Sequence, residues 1–154
     1  VHAGASGISD PAFDLEAPEG RVLNRVIRWT EDGWEMEPDQ RHVDILVKEL
    51  NLLEAKPVST PGEYEKREEE EENKELLGDS EATRYRAVAA RANYFGMDRV
   101  DIQQAVKEVC KGMAKPTVGD RRKLKRLARY LKGRPRLVWK LGGRSARRPR
   151  RCLR

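Results

Sequence analysis

The sequence has few of the residue types that carry metal binding and covalent catalysis. It contains two histidines and two cysteines among its 154 residues. No cysteine or second histidine stands at zinc-ligand spacing from His42, so we interpret His42 as a structural residue near the start of a helix. The sequence also has no glycine-rich phosphate loop and no nucleophile elbow. We therefore expect no catalytic residue, no metal site and no cofactor in this chain.

Aromatic residues and long apolar runs are scarce as well. Aromatics make up 6% of the chain and charged residues 38%, which predicts a small core for the length. No apolar run approaches the roughly 20 residues of a membrane-spanning helix. The N-terminus lacks the basic and apolar regions of a secretory signal. These features predict an intracellular protein, cytoplasmic or nuclear, with no membrane partner.

Charge is present in abundance but is unevenly distributed. The stretch from Glu63 to Glu81 is acidic and includes five consecutive glutamates, whereas Asp120 is the only acidic residue after Lys111. A basic half of this kind indicates a polyanionic partner, for which nucleic acid is the usual candidate.

The stretch from Tyr85 to Gly133 predicts three consecutive helices. Apolar residues recur there at the i, i+3, i+4 and i+7 spacing of one helix face, and three such faces can bury one another as a small bundle. Cys110 lies on an apolar face and is interpreted as a small buried residue. The apolar positions are Tyr85, Val88, Ala89, Ala92 and Phe95 in the first helix, Ile102, Ala105, Val106, Val109, Cys110 and Met113 in the second, and Leu124, Leu127, Ala128 and Leu131 in the third.

Upstream of the bundle, the runs RVLNRVIRW and WEME flank a loop that contains Asp32-Gly33. This pattern predicts a β-hairpin in which Trp29 and Trp34 pair across the strands. Asp39 is then expected to cap a helix that ends near Asn51 and whose apolar stripe comprises Val43, Leu46, Val47, Leu50 and Leu53.

Cap signals also precede the three bundle helices. Ser80 and Asp98 are the predicted caps of the first and second helices, and Thr117 with Asp120 predicts a capping box for the third. The run RLVWKL, residues 136–141, predicts a short strand after the bundle.

The fold class predicted from these patterns is α+β, mainly α: a small helical bundle with an N-terminal β-hairpin, a short C-terminal strand, an acidic linker and disordered ends. The predicted regions are a flexible lead-in (1–20), the hairpin with the first helix (21–62), the acidic linker (63–79), a three-helix basic module (80–141) and a disordered basic tail (142–154).

The outer face of the third bundle helix is the candidate functional surface. Basic side chains on such a face either solubilise it or neutralise phosphates, and this face has almost no acidic neighbours. Contacts to phosphates fix the position of a protein on nucleic acid without reading sequence, and they make binding salt-dependent. The predicted nucleic-acid-binding residues are Arg121, Arg122, Lys125, Arg126, Arg129 and Lys132.

Several short motifs follow one another in a fixed order. Tyr85-Arg86 opens the first bundle helix, Asp101-Ile102 leads into the second, Pro116 follows it, and Arg-Tyr-Leu-Lys-Gly at residues 129–133 ends the third. Lys-Pro-Val-Ser-Thr-Pro at residues 56–61 forms a joint further upstream. Together they resemble the segment between polymerase and ribonuclease H in the Pol polyproteins of copia-type LTR retrotransposons. The resemblance extends over residues 22–140.

The resemblance implies the thumb and connection region of a reverse transcriptase. In the parent enzyme, this region grips the template–primer duplex, RNA–DNA or DNA, while the palm adds nucleotides. Arg129 and Lys132 match the family's motif, and the hairpin falls where the family has its primer-grip-like ribbon.

The sequence departs from the family at several places. Val100 stands where the family usually has proline, and Asp120-Arg121 where it has His-Trp. The adjacent Asp-Asp motif of the polymerase is absent, and an arginine-rich tail replaces the start of ribonuclease H. We therefore expect a catalytically incomplete fragment, which is not an enzyme alone and whose partners include the missing palm and ribonuclease H regions. The alternatives are a free-standing, non-specific nucleic-acid-binding module and an inert pseudogene product.

Overall fold

The computed structural model of the protein describes residues 19–63 and 74–142. Most of the predicted lead-in, most of the acidic linker and nearly all of the basic tail lie outside the described residues. Within the described ranges, the α+β class is confirmed: four helices accompany a four-stranded sheet. The elements are β1 (Glu19–Val22), β2 (Arg25–Thr30), β3 (Gly33–Pro38), α1 (Arg41–Glu49), α2 (Asp79–Gly96), α3 (Gln103–Lys111), α4 (Val118–Gly133) and β4 (Trp139–Leu141).

The described residues form two compact units. Residues 19–37 and 138–142 form a sheet unit, and residues 38–63 and 74–137 form a helical unit. No helix in these described ranges is long and apolar enough to cross a membrane.

The sheet is antiparallel between β1 and β2 and between β3 and β4, with strand order β1-β2-β3-β4. The first predicted strand-like run is in fact two strands, because Leu23 and Asn24 form a tight turn with φ angles of 49° and 60°. Two consecutive left-handed residues are the geometry of a type I′ hairpin turn, which matches the twist of the flanking strands. Asparagine tolerates this geometry well, whereas leucine carries no such signal.

Two kinds of side-chain contact connect the strands of the sheet. Trp29 and Trp34 pack edge to face with their ring centroids 4.7 Å apart, so the predicted cross-strand pair is confirmed. Arg28 of β2 forms ion pairs with Glu19 of β1 and Glu37 of β3, each at 2.6 Å. These two carboxylates raise the pKa of the Arg28 guanidinium. Ion pairs and one aromatic pair therefore hold a sheet with little buried apolar surface.

The core of the protein lies in the helical unit. Val43, Leu46 and Val47 of α1 are buried in the same cluster as residues of α2, α3 and α4. The three-helix module predicted from the sequence is therefore extended by a fourth helix. The largest fully buried apolar side chains of the cluster are Phe95, Leu46, Ile102, Leu124, Leu127, Leu131, Val88 and Val109.

Helix α1 ends in a Schellman motif. Asn51 has a left-handed φ of 56°, and Leu52 N–H donates to the Val47 carbonyl at 2.9 Å. This end places Leu53 outside the helix, where it is 61% exposed, so the prediction that it belongs to the apolar stripe was wrong. The prediction that Asp39 is the N-cap was wrong, because Gln40 occupies that position; the Asp39 carboxylate instead accepts from Arg41 N–H at 3.0 Å.

The capping box of α4 is confirmed, because the Thr117 hydroxyl accepts from Asp120 N–H and the Asp120 carboxylate accepts from Thr117 N–H. The other two predicted caps were wrong. Helix α2 begins after Gly78 and α3 after Ile102, and neither has a side-chain cap.

The residues directly before α2 pair and pack with the bundle, although the prediction assigned them to the linker. Leu76 pairs with Thr117 in a β-bridge, and Leu77 is buried in the core cluster. Hydrogen bonds from Leu77 N–H to Pro116 and from Val118 N–H to Glu75 flank the bridge. The acidic linker predicted for 63–79 therefore does not include residues 75–79.

Candidate nucleic-acid interface

Helix α4 presents its basic side chains outward because its apolar side chains fill the core. Leu124, Leu127 and Leu131 are each at most 1% exposed, and their spacing directs the basic positions of the helix away from the core. The helix carries seven basic residues and one acidic residue, Asp120, whose carboxylate is used in the capping box. The basic residues are Arg121, Arg122, Lys123, Lys125, Arg126, Arg129 and Lys132.

The six predicted binding residues divide into two sets. Arg121, Arg122 and Lys125 form the first-half cations of α4, and Arg126, Arg129 and Lys132 form the second-half cations. The two sets differ in what their side chains contact.

The second-half cations bind a segment of the same chain. We call residues 53–63 the strap. Lys132 Nζ donates to the carbonyls of Leu53 and Ala55, the latter at 2.9 Å. Arg129 Nε donates to the Lys56 carbonyl at 2.7 Å.

Arg126 holds the far end of the strap. Its Nη2 donates to Thr60 Oγ1 at 2.9 Å, and its Nη1 lies 2.6 Å from Glu63 Oε2. With the contacts of Arg129 and Lys132, these bonds fix the strap along the outer side of α4. The second half of the basic face is therefore occupied by the chain's own carbonyl, hydroxyl and carboxylate groups.

The strap also packs against the bundle through apolar atoms. Val58 is half-buried against the core cluster. A Cβ atom on Gly133 would lie 2.8 Å from Pro57 Cβ, so the strap approaches the end of α4 closely. Pro57 and Pro61 favour an extended chain in the residues before them, which keeps the strap from forming a helix.

The first-half cations differ from one another in exposure and in their partners. Arg122 and Lys125 are exposed, and the half-buried Arg121 forms an ion pair with Glu81 of α2. Arg121 and Lys125 also line a cleft of about 230 Å³ together with Arg84. Arg84 donates to the Glu49 carbonyl at the end of α1. The first half of α4 and this part of α2 thus bring three basic side chains to one cleft, which Glu49 and Glu81 also line.

A buried ion pair anchors the C-terminal end of α4. Arg99 is fully buried, contacts both Asp101 oxygens at 2.8 and 2.7 Å, and donates to the carbonyls of Arg134 and Pro135. The Tyr130 hydroxyl also donates to Asp101, at 3.1 Å. Burial alone would raise the pKa of the Asp101 carboxyl, but the bonds from Arg99 and Tyr130 outweigh burial and lower it.

Sequence reasoning missed the role of Arg99. It noted Asp101 as part of the Asp101-Ile102 motif, whereas the Asp101 carboxylate pairs with the buried guanidinium. The spacing of Arg99 and Asp101 was a usable signal, but the carbonyls that complete the site lie about 35 residues away in the sequence.

The remaining polar candidates, His42 and Cys110, lie against aromatic or apolar side chains. His42 lies beside Tyr94 and Phe95, with ring centroids 5.7 and 5.8 Å away, and burial lowers its pKa. Cys110 is half-buried, and burial raises the pKa of its thiol. Over the part of the chain that the structure describes, no group of three or more His, Cys, Asp or Glu side chains could hold a metal ion.

The arrangement can attract a polyanion without reading its sequence. It offers basic side chains on a rigid helix, and a phosphate chain can bind such groups by charge alone. A scan against protein-family models and searches of the curated proteins and the solved structures found no match to this chain, so the resemblance to copia-type polyproteins stays a prediction.

Proposed function

We propose that this chain binds the phosphate backbone of a nucleic-acid duplex through the first-half cations of α4. The observation that carries the proposal is the difference in exposure along α4. Arg122 and Lys125 are exposed beside Arg121, whereas Arg126, Arg129 and Lys132 are engaged by the strap.

The side chains around this surface support backbone binding rather than base recognition. Base edges are read by groups that enter a groove in a defined orientation, often bidentate arginine or amide side chains. Arg121 and Lys125 instead line a cleft together with Arg84. Exposed basic groups on a convex helix are suited to contacts with successive phosphates.

The resemblance to copia-type polyproteins gives the proposal a wider context. In that context the chain is a catalytically incomplete part of a reverse transcriptase, which grips template and primer next to a palm and a ribonuclease H that supply the chemistry. The helical unit would then act as a positioning element with no catalytic residue of its own.

Binding measured over a salt series tests the proposal. An RNA–DNA hybrid, a DNA duplex and single strands of the same sequence are titrated with the full chain. We expect the logarithm of the association constant to fall linearly with the logarithm of salt concentration, and the hybrid to bind most tightly. Equal weak binding to all of them would favour the free-standing non-specific module. No binding to any of them at low salt would overturn the proposal and favour the inert product.

A further inference from the structure

The strap contains an exposed hydroxyl beside an incompletely used guanidinium. Thr60 is exposed, and its Oγ1 accepts a hydrogen bond from Arg126 Nη2 at 2.9 Å. Arg126 Nε is buried and has no hydrogen-bond partner among the described residues. A buried donor without a partner is costly, so this site favours an additional acceptor.

The geometry of the guanidinium defines that acceptor. Nε and Nη2 lie on the same edge of the planar group, and this edge binds two oxygens of a carboxylate or phosphate side by side. Thr60 occupies only Nη2, and Glu63 accepts from Nη1 on another edge. The Nε–H donor of this edge is therefore unused among the described residues and can bond a second oxygen close to Thr60 Oγ1.

The local sequence marks the same hydroxyl. Thr60-Pro61 is the only Ser-Pro or Thr-Pro dipeptide in the sequence. Proline-directed protein kinases select this dipeptide in extended, accessible segments, and the strap is non-helical and exposed at both Ser59 and Thr60.

We propose that Thr60 is a phosphorylation site for a proline-directed kinase and that Arg126 binds the resulting phosphate through its Nε–Nη2 edge, which locks the strap on α4. In the transfer step, Thr60 Oγ1 forms a bond to the γ-phosphorus of a nucleoside triphosphate while the bond from that phosphorus to the β-phosphate oxygen breaks. The nucleoside diphosphate leaves, and the hydroxyl proton is released.

The added charge has a consequence for the basic face. A phosphothreonine carries close to two negative charges at neutral pH. Arg122 lies one helical turn before Arg126, so the phosphate adds negative charge beside a first-half cation. Phosphorylation thus lowers the affinity for nucleic acid, a consequence that rests on the proposed function.

The first experiment asks whether Thr60 is modified. The full chain is incubated with a nucleoside triphosphate and a purified proline-directed kinase, and the phosphate is located by mass spectrometry. We expect incorporation at Thr60 and its loss in Thr60→Ala. Absence of phosphate at Thr60 would overturn the assignment of the site.

The second experiment asks whether Arg126 binds the phosphate, and it needs no nucleic acid. Full chains with phosphothreonine at 60 or phosphoserine at 59 are compared by ³¹P NMR titration and by amide exchange over residues 53–63. We expect the second phosphate pKa at position 60 to fall by about 1 pH unit relative to position 59, because the guanidinium favours the dianion. Slower amide exchange in the strap should accompany this shift.

Two substitutions of Arg126 complete the test. Arg126→Gln should abolish both effects, and Arg126→Lys should retain part of the pKa change but lose the slower exchange, since lysine cannot offer the paired edge. Identical titration at positions 59 and 60, or an effect that persists in Arg126→Gln, would overturn the lock. Neither of these measurements depends on nucleic-acid binding. A failure of the proposed function is therefore detected separately, in the salt series with the unmodified chain.

Discussion

Three basic residues in the first half of α4 and three in its second half belong to one helix but have different surroundings. Arg126, Arg129 and Lys132 donate to the strap, whereas Arg122 and Lys125 are exposed beside the ion-paired Arg121. The comparison teaches that a row of basic residues is not one functional surface. The role of each basic residue depends on the groups that its side chain already contacts.

The largest expected effect comes from the anchor beneath the second half of α4. Asp101→Ala leaves the fully buried Arg99 guanidinium without its carboxylate, which should lower the free energy of unfolding by about 3 kcal/mol. Urea denaturation followed by circular dichroism measures the change. Because Arg99 also holds the carbonyls of Arg134 and Pro135, amide exchange should accelerate at the end of α4 before its beginning. Uniform acceleration of amide exchange along α4 would contradict the proposed difference between its two halves.

The next effect is a difference in the free energy of unfolding between variants of the two halves of α4. Replacing the second-half cations with glutamine removes their bonds to the strap and should cost about 1–3 kcal/mol in total, allowing for partial exposure. Amide exchange within residues 53–63 should accelerate.

The matched control replaces the first-half cations with glutamine and removes the same three charges. This variant should lose less than about 1 kcal/mol, because Arg122 and Lys125 are exposed and the Arg121–Glu81 pair lies at the surface. Equal losses in the two variants would mean that the strap contacts contribute no more to stability than exposed charges.

A third change should affect stability and binding in opposite directions. Asp120→Asn weakens the capping box and should cost about 1 kcal/mol in thermal or urea unfolding. It also removes the only acidic residue of α4, which lies next to Arg121, so nucleic acid should bind more tightly at low salt. A weaker affinity for the folded variant would show that the first half of α4 is not the interface.

The smallest expected effect concerns pH. Burial lowers the pKa of His42 in the folded protein below the ordinary value near 6.5, so the unfolded chain binds more protons in the window between the two values. Stability should therefore rise with pH through that window and be lost as pH falls below about 6.5. Unfolding midpoints measured between about pH 7 and 5 should show this slope, and His42→Gln should reduce it.

The pH experiment also bears on the comparison of the two halves of α4, because His42 belongs to a different helix, α1. The salt dependence of nucleic-acid binding should not change with pH as long as the chain is folded. A change in that dependence that follows the His42 titration would place a titrating group in the interface.

Much of the helical unit could be predicted from the sequence because its signals are local. The apolar spacing of α2, α3 and α4 and the Thr117–Asp120 capping box depend on residues within one or two turns of each other. The type I′ turn at Leu23 and Asn24 was missed, because leucine does not favour a left-handed conformation and gave no turn signal.

The candidate site could be predicted only in part. The basic face of α4 followed from helical spacing. Its division did not, because strap residues such as Thr60 and Leu53 lie 66 and 79 residues before their α4 partners in the sequence. Local patterns carry no information on contacts over such distances. The same limit applies to Arg99 and the carbonyls after α4.

The most direct test of the division is the salt dependence of duplex binding in the two triple-glutamine variants, Arg121/Arg122/Lys125 and Arg126/Arg129/Lys132. Both lose three positive charges, so a general effect of net charge is the same in each. We predict that the first variant lowers the slope of log K against log salt by about 2–3, and that the second, compared as folded protein, leaves it nearly unchanged. Equal slopes in the two variants, or a loss confined to the second, would contradict the assignment of binding to the first half of α4.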